Sequence, residues 1–156
     1  MVDSNLNDVS TVYEKLTETL VPQSVAWIST RGIEEADHLT PFVFFGIVSF
    51  EPPVIALSTV GAGFTVGGDG GTIEFDSAVA RSDIYTTEEF VVNLPTDSTV
   101  SEIHSSIQRH GQSSDFFESS RIEREPARRV TPPRLTDTIL VLECELRDDI
   151  AFGESS

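Results

Sequence analysis

The stretch TPFVFFGIVSFEPPVIALST, Thr40 to Thr59, carries most of the longest apolar segment in the chain, which runs from Leu39 to Leu57. Phe42, Val43, Phe44, Phe45, Ile47, Val48 and Phe50 form a first apolar run, and Val54, Ile55 and Ala56 begin a second. β-branched and aromatic residues in runs this short predict two buried strands. Pro52 and Pro53 punctuate them, because neither can donate to a sheet ladder and both favour an edge or a turn.

Working outward, the segment Ser24 to Thr30 is β-rich, with Val25, Trp27 and Ile28, and Arg31 to Asp37 is a polar turn holding Gly32. Further upstream, Val9, Val12, Tyr13, Leu16 and Leu20 recur at helical spacing, which predicts one amphipathic helix over about residues 8 to 20, broken by Pro22. Downstream, GAGFTVGGDGG (61–71) reads as a flexible loop whose glycines at 61, 63 and 67 miss the dinucleotide-binding spacing by one. A short helix is expected over Ser77 to Thr87, and EFVVNL (89–94) is a buried strand ended by Pro95. Val100, Ile103 and Ile107 predict a helix over Thr96 to His110, stopped by Gly111, and Ser113 to Ser120 adds a small turn or helix. A charged connector, Arg121 to Arg134, leads to a last strand over Thr138 to Leu146. Strands with interspersed short helices make a mainly β, barrel-like fold in one domain over residues 1–156, rather than alternating βαβ units.

Composition narrows the function classes. Twenty-six acidic residues face ten basic ones, for a formal net charge of −16. Such an excess repels itself unless counterions screen it, and the Debye length shrinks to about 3 Å at 1 M salt. A salt-rich cytoplasm would supply that screen. Nucleic-acid binding is disfavoured, since phosphate backbones need clustered Lys and Arg. With Cys144 the only cysteine, an internal disulfide is excluded and a reducing cytoplasm fits. No apolar run reaches the roughly 18 residues of a spanning helix, so the sequence reads as soluble, untargeted and without a membrane partner.

A search for chemistry-bearing motifs returns little. His38, His104 and His110 are too scattered for a metal pattern, and no nucleophile elbow, HExxH or phosphate-binding loop is present. Cys144 lies between Glu143 and Glu145 on the last strand, where a buried inert thiol is the ordinary reading. Five of the nine arginines, Arg121, Arg124, Arg128, Arg129 and Arg134, gather in the connector. They either clamp an anion or answer the neighbouring Glu118, Glu123 and Glu125.

Four stretches taken together, VAWIST (25–30), TPFVFFGIVSFEPPVIALST (40–59), EFVVNLPT (89–96) and TPPRLTDTILVLECEL (131–146), resemble the flavin reductase-like, FMN-binding split β-barrel family, in the branch called flavoprotein oxygenase-like. The resemblance implies bound FMN at the interface of a homodimer and hydride supplied by NADH or NADPH. Because the cofactor carries the redox chemistry, no side-chain acid or base need stand out. FMN joins a flat apolar ring to a dianionic phosphate, so its site needs an apolar slot with backbone donors, and hydroxyls or cations at the phosphate. Carried over by position, the candidate cofactor contacts are Ser29, Thr30, Phe42, Phe44, Phe45, Gly46, Ser49 and Ser58; the phenylalanines could instead be core alone.

Three departures accompany the resemblance. Gln23 and Ser24 stand where the family often has Arg-Pro, and Ala78, Val79 and Ala80 stand where it has a Lys-Asp-Thr phosphate-binding triplet. Arg81 and Ser82 adjoin that triplet and are the expected substitutes, at the opening of a helix whose free amides favour an anion. After LECELRDDIAFG the family continues through further strands, so the chain reads as a split barrel shortened at its C-terminal end. The resemblance therefore implies a flavin reductase or related oxidoreductase. The alternative is a non-catalytic flavin-binding or protein-interaction relative that has lost its phosphate contacts.

Overall fold

A computed structural model describes residues 26–42, 44–58, 64–68, 71–75, 77–110 and 116–151. The helix expected at residues 8–20 lies outside them. Among the described residues ten strands and three helices follow one another: β1 (Ala26–Arg31), β2 (Asp37–Phe42), β3 (Phe44–Phe50), β4 (Pro53–Ser58), β5 (Phe64–Gly68), β6 (Gly71–Phe75), α1 (Ala78–Thr87), β7 (Glu89–Pro95), α2 (Asp97–His110), α3 (Phe116–Ser119), β8 (Arg124–Glu125), β9 (Arg134–Leu135) and β10 (Thr138–Glu145). The mainly β expectation holds, with the helices short and between strands.

The centre is an antiparallel four-stranded sheet in the order β10-β7-β1-β2. β1 pairs with β2 from Ala26 opposite Phe42 to Arg31 opposite Asp37. The tight return between them is closed by Gly32 N–H donating to Ala36 O at 2.8 Å and Glu35 N–H donating to Gly32 O at 3.0 Å. Glu35 sits at φ 58. The approach at Gly32 is close, because a Cβ there would lie 3.1 Å from Asp83 Oδ1, which would have to give by a few tenths of an ångström.

Successive residues of a strand point to opposite faces, and β1 uses both. Ala26 and Ile28 join Phe42, Ala80, Phe90 and Val92 in one core, covered by α1 and the β3–β4 ribbon. Trp27 joins Leu39, Ile103, Phe116, Phe117 and Leu135 in the other, under α2 and α3. There Trp27 and Phe116 meet edge to face, with ring centroids 5.2 Å apart. β1 is thus apolar on both sides, as a central strand must be.

Two expectations are corrected. The apolar segment was expected to form two buried strands, but it spans parts of three, and only β2 is buried. β3 and β4 form a separate two-stranded ribbon. Phe45, Ile55 and Leu57 point into the first core, whereas Ile47 and Val48 are 65% exposed and Phe50 is 84% exposed. By register Ile47 shares the face of Phe45, Ile55 and Leu57, so the exposed residues gather towards the hairpin end of the ribbon rather than on one outward face. The glycine-rich stretch is also no simple loop, since β5 and β6 pair antiparallel through Phe64–Phe75 and Gly68–Gly71. Thr65, Val66, Thr72 and Ile73 carry strand propensity on either side of the glycines.

Candidate functional site

The end of β1 carries two of the expected contacts, Ser29 and Thr30, and both are fully buried. Ser29 Oγ donates to Pro133 O at 2.5 Å and accepts from Asn93 Nδ2 at 3.1 Å. Thr30 Oγ1 donates to Asp83 Oδ2 at 2.7 Å. Both hydroxyls therefore answer the framework. The Thr30 bond ties β1 to α1, the helix that bears Arg81 and Ser82.

α1 forms because Ala80, Asp83, Ile84 and Thr87 recur at spacings of three, one and three, putting one stripe against the sheet. It ends at Glu88, whose N–H donates to Ile84 O at 2.8 Å and whose left-handed φ of 58 turns the chain out of the helix. Its first turn has no acidic residue, and Ser77 makes no side-chain cap. Arg81 and Ser82 face solvent. Arg81 is the sole cation of α1, and its Nη2 donates to Tyr85 Oη at 3.2 Å. Its guanidinium carbon lies 5.3 Å from the Tyr85 ring centroid. The bond to Tyr85, with Asp149 nearby, raises the Arg81 pKa, so the group is fully charged.

The remaining candidates lie on or beside the ribbon. Phe42 is 2% exposed and packs in the core. Phe45 also packs on that core, opposite Leu57 in the ladder. Phe44 pairs with Ser58, which is exposed, and the Phe44 side chain lies outside the described residues. Ser49 Oγ accepts the Glu51 N–H at 3.3 Å. Gly46 is exposed, and a Cβ built on it would meet no atom within 4 Å. Among the described residues β3 pairs only with β4, so its other edge presents backbone donors and acceptors.

These features fit a flavin. A flat ring can approach β3 closely at Gly46, with edge amides for its carbonyls and the apolar Ile47 beside it. A phosphate suits Arg81 and Ser82. The ribbon and α1 are held together because Phe45, Ile55, Leu57 and Ile84 all pack on one core.

A cleft elsewhere suits a flavin poorly. Ser98, Thr99, Glu102, Arg121, Ile122, Glu123, Thr136 and Asp137 line about 220 Å³. That is below the roughly 300–1,000 Å³ of small-molecule sites, and three carboxylates face one arginine. Hydroxyls of Ser98, Thr96 and Thr99 hold the Asp137 pKa down and engage its oxygen. Among the described residues no group of three metal-ligating side chains converges. Burial pushes the Cys144 thiol up to about 11, consistent with an inert role.

Sequence reasoning passed over Asp83, Tyr85 and Asp149, and weighed His38 only as a metal ligand. His38 Nδ1 lies 2.8 Å from Asp83 Oδ2. The available signal was an acid inside the inward stripe of α1. Tyr85 and Asp149 are 64 positions apart and gave none.

Comparison with known proteins bears on the family and the fold. A family model described as a flavin reductase like domain matches residues 18–156. An uncharacterized protein of Deinococcus radiodurans is 30% identical over 147 residues, covering 92% of this chain and 60% of that one. The chain spans 60 to 66% of the length of the curated relatives it matches. Nitrilotriacetate monooxygenase component B from Bacillus cereus superposes with a TM-score of 0.73 at 19% identity, over 99% of this chain and 71% of that one. Flavoredoxin of Desulfovibrio vulgaris superposes with a TM-score of 0.64, also at 19% identity, over 84% of this chain and 63% of that one. At such identities the likeness carries the fold, a split barrel. No helix among the described residues is long and apolar enough to cross a membrane.

Proposed function

The chain belongs to the flavin reductase-like family, a group of flavin-related oxidoreductases, and from that premise we propose that it binds FMN and accepts hydride from NADH or NADPH. The observation that carries this reading is the open face of β3 at Gly46, held on the same core as the helix bearing Arg81 and Ser82. When bound, FMN supplies the two-electron redox chemistry. The protein's part is placement. Phe45 and Leu57 anchor the ribbon, Gly46 gives the ring clearance, and Arg81 and Ser82 offer the phosphate a charge and a hydroxyl.

The working unit in this reading is a cytoplasmic homodimer. Ile47, Val48 and Phe50 are exposed and close in sequence to Gly46, and apolar exposure of this kind suits an interface. A second copy there would also exclude water from the flavin.

Purification in molar salt with added FMN tests the proposal. A yellow protein whose flavin absorbance bleaches on adding NADH or NADPH is the expected result, and a folded protein that stays colourless overturns it. One observation favours a second reading, a flavin binder without reductase activity. α1 opens on Ala78, Val79 and Ala80, which bring neither charge nor hydroxyl, and Arg81 already engages Tyr85. FMN binding without nicotinamide oxidation would favour that reading.

A further inference from the structure

The cation on α1 has a carboxylate of the chain's own beside it. After β10 the chain is tied back to the end of α1 by Leu146 N–H donating to Glu88 O at 2.7 Å. This brings Asp149 over the helix. Tyr85 Oη–H donates to Asp149 Oδ2, and the same oxygen lies 3.9 Å from Arg81 Nη2. Arg81 Nε and Nη2 in turn donate to Tyr85 Oη, at 3.4 and 3.2 Å. The three side chains form one exposed cluster, with Arg81 and Asp149 48% and 47% exposed. An approaching dianion therefore meets an arginine whose charge is already partly answered.

We propose that Asp149 is the residue that sets how strongly the site distinguishes a phosphorylated flavin from an unphosphorylated one. This rests on the reading of Arg81 as the phosphate contact. The carboxylate weakens attraction for the phosphate and leaves the ring surface on β3 untouched. Its action is confined to the ligand's tail.

The test is to titrate FMN and riboflavin against the wild-type chain and against Asp149→Asn, at the lowest salt in which both stay folded by circular dichroism. Low salt matters because exposed charges are screened over roughly 10 Å at 0.1 M. Exposed ion pairs are weak, so Asp149→Asn should tighten FMN by about 1.4- to five-fold and leave riboflavin unchanged. Asp148→Asn removes the same formal charge one residue away and controls for net charge; it should change the FMN-to-riboflavin ratio less. In an Arg81→Ala background, Asp149→Asn should no longer change the ratio. An unchanged ratio in Asp149→Asn, or an equal rise in Asp148→Asn, overturns the proposal while the flavin reading stands. A folded wild-type chain that binds neither flavin overturns both.

Discussion

His38 Nδ1 and Thr30 Oγ1 converge on a single oxygen, Asp83 Oδ2, at 2.8 and 2.7 Å, so one carboxylate on α1 joins the ends of β1 and β2. The three residues come from separate parts of the chain, and the helix carrying Arg81 is fixed in place by that link. Asp83→Ala leaves a buried hydroxyl without its acceptor, at a cost of about 1–3 kcal/mol. For a chain of this size each kcal/mol lowers Tm by about 2–4 °C, which thermal melts followed by circular dichroism will measure. His38→Ala, at a less buried position, should cost less.

Asn93 ties the connector to the sheet. Its Nδ2 donates to Trp27 O at 3.0 Å and to Ser29 Oγ, while its Oδ1 accepts the Leu135 N–H at 3.0 Å. Asn93→Ala removes all of these at a fully buried position and should destabilise by about 2–4 kcal/mol, combining lost hydrogen bonds with a cavity. Trypsin should then cut sooner at Arg128, Arg129 and Arg134. Cleavage no faster than in the wild type would show that the connector is held by something else.

Glu89 and Glu143 tie the same connector through backbone amides and make it sensitive to acid. The Thr131 hydroxyl and N–H bind Glu89, and the N–H groups of Arg128 and Arg129 bind Glu143. These bonds hold both carboxyls below their ordinary value of 4.5. The unfolded chain then takes up protons before the native one, so the stabilisation is complete above 4.5 and is lost as pH falls through the lowered folded values. A Glu89→Gln, Glu143→Gln double variant should be less stable near neutrality and show a flatter acid limb in melts between pH 6 and pH 3. A parallel acid limb would argue against the tether.

Gly46 separates folding from binding. In Gly46→Leu the new Cβ meets no atom within 4 Å, so the melting temperature should change little. If the ring lies on β3, the new side chain occupies its place, and FMN affinity should fall by at least about tenfold, or 1.4 kcal/mol. Equal affinity in variant and wild type would remove β3 from the site.

Net charge sets the solvent requirement. At −16 the chain should lose stability on dialysis from molar salt into dilute buffer and regain it when salt returns. Far-ultraviolet circular dichroism that is identical in both buffers would refute the expectation.

Much of the fold was legible because it is written in short-range pattern. Trp27 and Ile28 announce β1, Phe90 to Asn93 announce β7, and Val100, Ile103 and Ile107 announce α2. The exposure of the hairpin end of β3 was not legible. Ile47 and Phe50 have the composition of core residues, and only the tertiary arrangement decides which part of a ribbon finds cover. Gly46, Arg81 and Ser82 became candidates only through the family resemblance, and the structure places all three at the surface. Asp83 and Asp149 were hidden, because their partners lie 53 and 64 positions away and no local spacing records such pairings.

The opposed layers of the central sheet bear on spectroscopy. The chain has one indole, and it sits edge-on to Phe116 in the layer turned away from the ribbon. Its emission colour therefore gauges the α2 and α3 side. Loosening of β3 and β4 could proceed with the indole still dry, and an experimenter following fluorescence alone would record an intact protein. A reporter introduced at Ser58 would watch the half that the native fluorophore does not see.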